Sequence, residues 1–250
     1  MVYTAIGASD AMGRGSSVEC LPLVDCPNGM GYVPVTVRTL RARGFTVTSL
    51  NLGIGTAVIS RTFQTLGQQY GREIVTNFID SEVPFVLSNS TLVTVFAGGN
   101  EVNTITAALG GGAGGADPAG YIDRQVTQFG SDYSSLLSSI RERAGSARMV
   151  VLNLPNLGAL PYLAGASLLQ RQAAQRAAVG MTTAINRLPN VVVVDLMCNP
   201  QTYLASTFSS DGFHPSDAGY AFIAGEVVLA ATTSYRDPAT TCAQMSTVPN

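Results

Sequence analysis

The sequence predicts an α/β fold in which helices cover both faces of a parallel β-sheet. Hydrophobic residues make up 46% of the 250 residues and charged residues only 12%, so a large core is expected and disorder is not. Short apolar runs alternate along the chain with longer helical stretches. Strands that alternate with helices build parallel sheets with both faces buried. We expect one domain over residues 1–250, because single α/β domains commonly reach about 250 residues.

The predicted strands are short runs rich in β-branched residues. Their composition is almost wholly apolar, as expected for strands that are buried on both faces. The five runs cover residues 2–6, 45–50, 92–96, 149–152 and 191–194. In such a sheet, ligands bind beyond the carboxyl ends of the strands. The turns after these runs are rich in Gly, Ser and Asn, and we expect the chemistry there.

Helical stretches and two irregular segments fill the intervals. Helices are predicted over residues 31–43, 62–80, 121–143, 166–187 and 216–231. The first irregular segment, residues 13–30, holds two cysteines among several Gly and Pro. The second, residues 110–120, reads GGGAGGADPAG. We interpret it as a surface linker, and a flap over the site is the alternative.

The four cysteines favour disulfides and export. An even count with one close pair is typical of secreted proteins. Of the three possible pairings we favour Cys20–Cys26, which closes a local loop, and Cys198–Cys242, which would hold the C-terminal tail. Four buried free thiols in a cytosolic protein are the alternative. No structural zinc site is expected, because the chain has one histidine and no CxxC pair.

The two expected disulfides predict a secreted or bacterial-type cell-envelope protein. Charge and hydrophobicity argue against nucleic-acid binding, lysine-dependent chemistry and a membrane span. The N-terminal residues look like a strand and show no signal-peptide pattern. A net charge of -2 gives no electrostatic reason to expect nucleic acid. All fourteen basic residues are arginine, so no lysine is present for a Schiff base or a P-loop. No apolar run reaches the ~18 residues of a membrane span, and no apolar heptad predicts association, so a monomer is expected.

The only histidine, His214, lies in the stretch DGFHPSDAGY, three residues after Asp211. A neutral imidazole can take a proton from a hydroxyl, and it does so best when a carboxylate holds its other nitrogen. By itself this spacing is weak, and a packed or surface histidine would be the better interpretation. A candidate nucleophile and candidate oxyanion donors elsewhere in the chain favour a catalytic histidine instead.

Ser9 follows the first predicted strand directly, in a Gly-Ala-Ser turn. A serine nucleophile needs a base and also donors for the oxyanion of the tetrahedral intermediate. Gly55, after the second strand, offers a backbone N–H without a side chain in the way. Asn100, after the third strand, offers a side-chain amide, and the Ser9 N–H is a third donor.

Four blocks in this order resemble the SGNH (GDSL-type) hydrolases over residues 2–225. The blocks are IGASDAMG with Ser9, NLGIGTA with Gly55, VFAGGNEVN with Asn100, and DGFHPSDAGY. The resemblance implies a three-layer α/β/α sandwich with a five-stranded parallel sheet, flavodoxin-like, which agrees with the five predicted strands. It also implies Ser9 as nucleophile, His214 as general base and Asp211 as its orienting group. The Ser9 and Gly55 N–H groups and the Asn100 side chain would form the oxyanion hole, with no cofactor and no metal.

The chain departs from the family pattern at two positions. Ala8 stands where the family usually has an aspartate that helps to fix the turn, and Asp10 is the candidate substitute. Glu101 stands where an aspartate usually follows the asparagine. Gly53 competes with Gly55 as the oxyanion-hole glycine, because a gap of one residue decides the register.

The predicted function is a serine esterase that hydrolyses carboxylic esters of short to medium acyl chains through an acyl-enzyme. An acyltransferase or a deacetylase that acts on acylated sugars would use the same residues. An inactive domain that binds glycans or a partner is the third alternative. The expected partner is a small-molecule ester. The apolar segment 153–169 either lines an acyl pocket or covers the core.

Overall fold

The computed structural model describes residues 1–249 and contains a five-stranded parallel sheet. The strands are β1 (Val2–Gly7), β2 (Thr48–Asn51), β3 (Leu92–Phe96), β4 (Arg148–Leu152) and β5 (Val192–Val194). Their order across the sheet is β2-β1-β3-β4-β5. Gly7 pairs with Phe96, Phe96 with Leu152, and Leu152 with Val194, so the carboxyl ends of these strands are level. The predicted α/β class and the parallel five-stranded sheet are confirmed.

The described residues form eight α-helices, and they cover the sheet from both sides. The helices are α1 (Ser9–Met12), α2 (Tyr32–Ala42), α3 (Arg61–Gln69), α4 (Phe78–Ser81), α5 (Gly99–Gly110), α6 (Pro118–Arg143), α7 (Leu168–Asn186) and α8 (Asp217–Thr232). On one face, α2 packs against α8, and its Tyr32 reaches Thr94 of β3. On the other face, α6 packs against α7, and its Tyr133 donates to the Val95 carbonyl. Side chains of neighbouring strand residues point to opposite faces, so the core has two halves.

The second strand begins later than predicted, because its only neighbour, β1, begins opposite Thr48. The prediction was residues 45–50, and the strand is Thr48–Asn51. It lies at the sheet edge and pairs only with β1, whose first residue, Val2, is opposite Thr48. Residues 45–47 therefore have no neighbouring strand to pair with, although they are apolar enough for one.

The predicted helix over 62–80 is wrong as one helix, and a further helix was missed. Helix α3 ends at Gln69, Gly71 follows with a φ of +77° that favours glycine, and Asn77 then forms an isolated parallel bridge with Val58. Helix α5 was not predicted, since glycines flank it and β-branched residues interrupt it. Burial of Val102 and Ile105 in the core provides what its local propensity lacks.

The two irregular segments differ in how they are held. Cys20 is bonded to Cys26 and Cys198 to Cys242, so both predicted disulfide pairs are present. The glycine segment predicted at 110–120 is shorter as a loop, because α5 takes its first residue and α6 takes its last three. Most of the remainder is exposed, as expected for a surface linker.

Within residues 1–249, every helix is too short or too polar to span a bilayer.

Candidate active site

The predicted site residues meet at the carboxyl edge of the sheet. Ser9 is the first residue of α1, two positions after β1 ends, and Asn100 is the second residue of α5. Gly55 lies in the loop after β2. Asp211 and His214 lie in the loop before α8, whose N-terminus Ser216 caps by accepting the Gly219 N–H. Ser9 and His214, separated by 205 positions, thus come into hydrogen-bond contact.

Ser9, His214 and Asp211 form a continuous chain of hydrogen bonds. The His214 Nε2 lies 2.9 Å from the Ser9 Oγ, and the His214 Nδ1 lies 2.6 Å from the Asp211 Oδ2. The histidine side chain is 14% exposed, so it is largely shielded from solvent. With Nδ1 protonated and held by the carboxylate, Nε2 has its lone pair directed at the serine hydroxyl. This arrangement can remove the serine proton as the oxygen attacks an electrophile.

The Asp211 carboxylate is fixed by donors besides the histidine. Its Oδ1 accepts the backbone N–H groups of Phe213 and His214 at 2.8 and 2.9 Å and the Ser209 hydroxyl at 2.8 Å. Partial burial works to raise the pKa of Asp211, but the hydrogen bonds from His214 and these donors outweigh it, and the pKa lies well below its ordinary value. The group therefore stays ionised and keeps its orientation at neutral pH.

The histidine ring is also held by packing. The Phe213 ring meets the His214 ring edge to face at 4.8 Å and the Tyr162 ring at the same distance. Gly212 has a φ of +69°, and a Cβ there would lie 2.8 Å from the Tyr162 nitrogen. The turn therefore requires glycine, which explains the Asp-Gly-Phe-His order that the sequence offered only as a motif.

The three candidate oxyanion-hole residues differ in which hydrogen bonds they already make. Ser9 lines a small cavity and Gly55 lies in the loop after β2, and neither backbone N–H makes a hydrogen bond within residues 1–249. Asn100 lines the same cavity, and its Nδ2 uses one hydrogen on the Ala57 carbonyl at 2.9 Å. The Gly53 N–H, by contrast, already donates to the Asn51 side chain at 3.1 Å. Of the two glycines, only Gly55 therefore has a backbone N–H without a partner among the described residues.

Glu101 joins the loop after β2 to helix α5. It is 1% exposed, and its carboxylate accepts the Ile59 backbone N–H. Burial raises its pKa to about 7, against the opposing effect of its hydrogen bonds and of the Arg72 charge. The residue thus fixes the distance between Asn100 and the loop that carries Gly55.

The carboxyl group that holds the serine turn is Glu82, which the sequence did not indicate. Its Oε2 accepts the backbone N–H of Gly7, two residues before Ser9, at 3.0 Å. Burial raises its pKa well above the ordinary value. The suggestion that Asp10 substitutes for the missing carboxylate at Ala8 is not supported, since the Asp10 side chain makes no hydrogen bond to another described residue. No local signal could have found Glu82, because it is 75 positions from Gly7.

The disulfide loop over 13–30 closes one side of the site. Gly15 has a φ of +86°, and a Cβ there would lie 2.9 Å from the His214 Cβ. The loop is tied to α8 because the Ser17 N–H and hydroxyl both donate to Asp217, at 2.7 and 2.6 Å. Tyr220 also donates to the Arg14 carbonyl at 2.7 Å. The loop is therefore a wall of the site as well as a cysteine-bearing segment.

An apolar cavity of about 60 Å³ adjoins the cavity that Ser9 and Asn100 line. Both are bordered by Asp10, Gly99 and Phe213. Segment 153–169 contributes Leu154, Leu157 and Leu160 to its wall, and these residues are also buried in the core. The segment therefore covers the core and also borders this cavity, and its role as an acyl pocket stays a prediction. Among residues 1–249, no group of three His, Cys, Asp or Glu side chains is arranged to hold a metal ion.

Comparison with known proteins identifies relatives of this chain. Residues 3–227 match the family model of the GDSL-like lipase/acylhydrolases. Among curated proteins none matches the sequence. A lipase from the goat rumen metagenome has a similar structure with a TM-score of 0.63 and 19% identity, over 93% of this chain and 98% of that one. The extracellular lipase of Streptomyces rimosus is similar with a TM-score of 0.60 and 17% identity, over 93% of this chain and 100% of that one.

A third similar structure is an acetyl xylan esterase from Geobacillus stearothermophilus, with a TM-score of 0.56 and 15% identity, over 94% of this chain and 96% of that one. At these identities the structural likeness establishes the fold, and the family match extends over nearly the whole sheet and its site loops. The chain belongs to the family of GDSL-like lipase/acylhydrolases.

Proposed function

We propose that this protein is a carboxylic ester hydrolase in which Ser9 is the nucleophile, His214 the general base and then acid, and Asp211 the group that orients it. The observation that carries the proposal is the hydrogen-bond chain from Asp211 through His214 to Ser9, at 2.6 and 2.9 Å. Such a chain activates a hydroxyl that is otherwise a weak nucleophile. The family supports a hydrolase, and the site supports this mechanism.

The reaction proceeds through an acyl-enzyme. The Ser9 Oγ attacks the ester carbonyl carbon while the His214 Nε2 takes the hydroxyl proton. The carbonyl oxygen becomes negative and is stabilised by the N–H groups of Ser9 and Gly55 and by the Asn100 amide. The tetrahedral intermediate collapses, and His214 returns the proton to the departing alcohol oxygen. Water then attacks the acyl-enzyme with His214 as base, which releases the carboxylic acid and restores the serine hydroxyl.

The substrates we propose are esters of short acyl chains, because the apolar cavity beside the catalytic centre is small. At about 60 Å³ it is less than half of the ~150 Å³ of a protein cavity that holds benzene. Its walls include Phe96, Leu196 and Phe222, which suit an alkyl group, and it reaches the catalytic cavity past Phe213. A short acyl group bound there would keep its carbonyl beside Ser9.

We also propose that the protein acts outside the cytosol. Both cysteine pairs are bonded, and the reducing cytosol normally keeps thiols free. Titration of free thiols in the denatured protein, isolated without reductant, tests this. No free thiol is expected, and about four per chain would contradict the proposal.

The decisive experiment compares p-nitrophenyl acetate, butyrate and octanoate as substrates of the wild type and of Ser9→Ala. We expect a loss of at least about 10⁴-fold in kcat for the variant, since it lacks the nucleophile. Ser138→Ala, on the exposed surface of α6, is the matched control and should retain full activity. For the wild type, kcat/KM should fall from butyrate to octanoate. Equal activity of Ser9→Ala and wild type would refute the mechanism, and a preference for octanoate would refute the short-acyl assignment.

A further inference from the structure

We infer that Arg72 is a positioning residue for the oxyanion hole, an inference that rests on the proposed function. Arg72 follows Gly71 in the segment between α3 and α4 and contacts Asn100 of α5. Its Nη1 donates to the Asn100 main-chain carbonyl at 2.6 Å, and its Nη2 donates to the Asn100 Oδ1 at 3.3 Å. One guanidinium thus holds both the backbone and the side chain of the same residue.

These contacts determine which way the Asn100 amide faces. The Nδ2 donates to the Ala57 carbonyl at 2.9 Å, while the Oδ1 accepts from Arg72. If the amide flipped, its oxygen would face the Ala57 carbonyl and its nitrogen would face the guanidinium, so both contacts would become repulsive. With the two ends fixed, the second N–H of the amide has a single orientation. Asn100 and Ser9 line the same cavity, and in that orientation this N–H is the donor that the oxyanion needs.

The charge of Arg72 adds to the geometry. A guanidinium stays protonated in proteins, and its bond to the Oδ1 draws electrons through the amide towards the oxygen. The remaining Nδ2–H becomes a stronger donor when the substrate oxygen becomes negative. Half-burial of Arg72 keeps water from screening this effect fully. The expected contribution is to the transition state more than to substrate binding.

A purely structural role is the rival explanation, because Arg72 also donates to the Thr104 hydroxyl at 3.3 Å and could simply hold its loop on α5. The two roles differ in how Arg72 and Asn100 combine. If Arg72 acts through the Asn100 amide, its removal matters only while that amide is present. If it only holds the loop, its removal costs the same factor with or without the amide.

The test is a double-mutant cycle of Arg72→Met and Asn100→Ala, measured as kcat and KM on p-nitrophenyl butyrate. Removal of an oxyanion-hole donor costs about 10²- to 10³-fold in kcat, so we expect about 10- to 50-fold for Arg72→Met alone with KM nearly unchanged. In the Asn100→Ala background the same change should cost less than about 3-fold. Arg72→Lys, which keeps the charge and loses the fork, should be intermediate. Thr104→Val, which removes only the third acceptor, should stay within about 3-fold of wild type.

Equal costs of Arg72→Met in the two backgrounds, or a rise in KM with kcat unchanged, would overturn the inference. Circular dichroism and the thermal unfolding midpoint establish that each variant is folded. If Arg72→Met does not fold, the same cycle with Arg72→Lys decides, since a full kcat for that variant would equally overturn the inference. Failure of the proposed function is separate: it appears as an active Ser9→Ala protein, whatever the Arg72 variants do.

Discussion

The stability of the protein should fall between pH 4.5 and about 7 because of Glu101. Burial raises the pKa of this carboxyl from 4.5 to about 7 in the folded state. Below pH 4.5 it is protonated in both the folded and the unfolded state and has no effect on the balance. Above pH 7 it is ionised in both, and the folded state bears the cost of a buried charge. The folded protein binds the extra proton between these limits, so the free energy of unfolding decreases as the pH rises.

The size of this effect follows from the difference between the two pKa values. At about 1.4 kcal/mol per pKa unit, the loss of unfolding free energy is about 3 kcal/mol. Glu101→Gln provides the reference, because the amide cannot ionise and can still accept the Ile59 N–H with its oxygen. Burial also raises the pKa of Glu82 and Asp10, but these groups are present in both proteins and cancel in the difference.

Urea unfolding of the wild type and of Glu101→Gln, at intervals from pH 4.5 to 8, measures this difference directly. We expect the wild type to lose about 3 kcal/mol relative to the variant over that range and to lose nothing further above it. A difference that stays constant within about 0.5 kcal/mol would refute the reasoning, because Glu101 would then titrate as an exposed carboxyl does.

Two further predictions concern the wall of the site and the C-terminal tail. Gly15→Val should lower kcat at least about 10-fold, because its Cβ would lie 2.9 Å from the His214 Cβ. The control is Gly44→Val, which also has a positive φ, +90°, but has open space around it and should keep the activity. Equal activity of the two variants would contradict this prediction. Replacing Cys198 and Cys242 together by Ala should lower the free energy of unfolding by about 4 kcal/mol, from the 44-residue separation that the bond closes. Urea unfolding measures this, and a loss below about 1 kcal/mol would show that the bond constrains little.

Strands β1, β3, β4 and β5 were predictable because they are mostly apolar, largely buried and bounded by turn residues, whereas β2 reads Thr-Ser-Leu-Asn and is only partly buried. The errors have particular causes. Residues 45–47 are apolar enough for a strand, but an edge strand extends only as far as its neighbour, and β1 begins at Val2. The helix over 62–80 is broken at Gly71 because the following residues pair with Val58, which no local pattern indicates. Tertiary contacts override propensity in both places.

The sequence by itself determined the family and the candidate site residues: one histidine, a serine and a glycine after successive strands, and an asparagine after the next. These positions follow the carboxyl ends of the strands, which the Gly, Ser and Asn residues after each apolar run mark in the sequence. Only the tertiary structure decided what supports them. The supporting residues contact the site from distant segments of the chain: Glu82 bonds to Gly7, Arg72 bonds to Asn100, and Gly15 lies beside His214. A single charged residue or glycine looks alike in a sequence whether it faces solvent or a catalytic group, because its role is set by where the chain folds back.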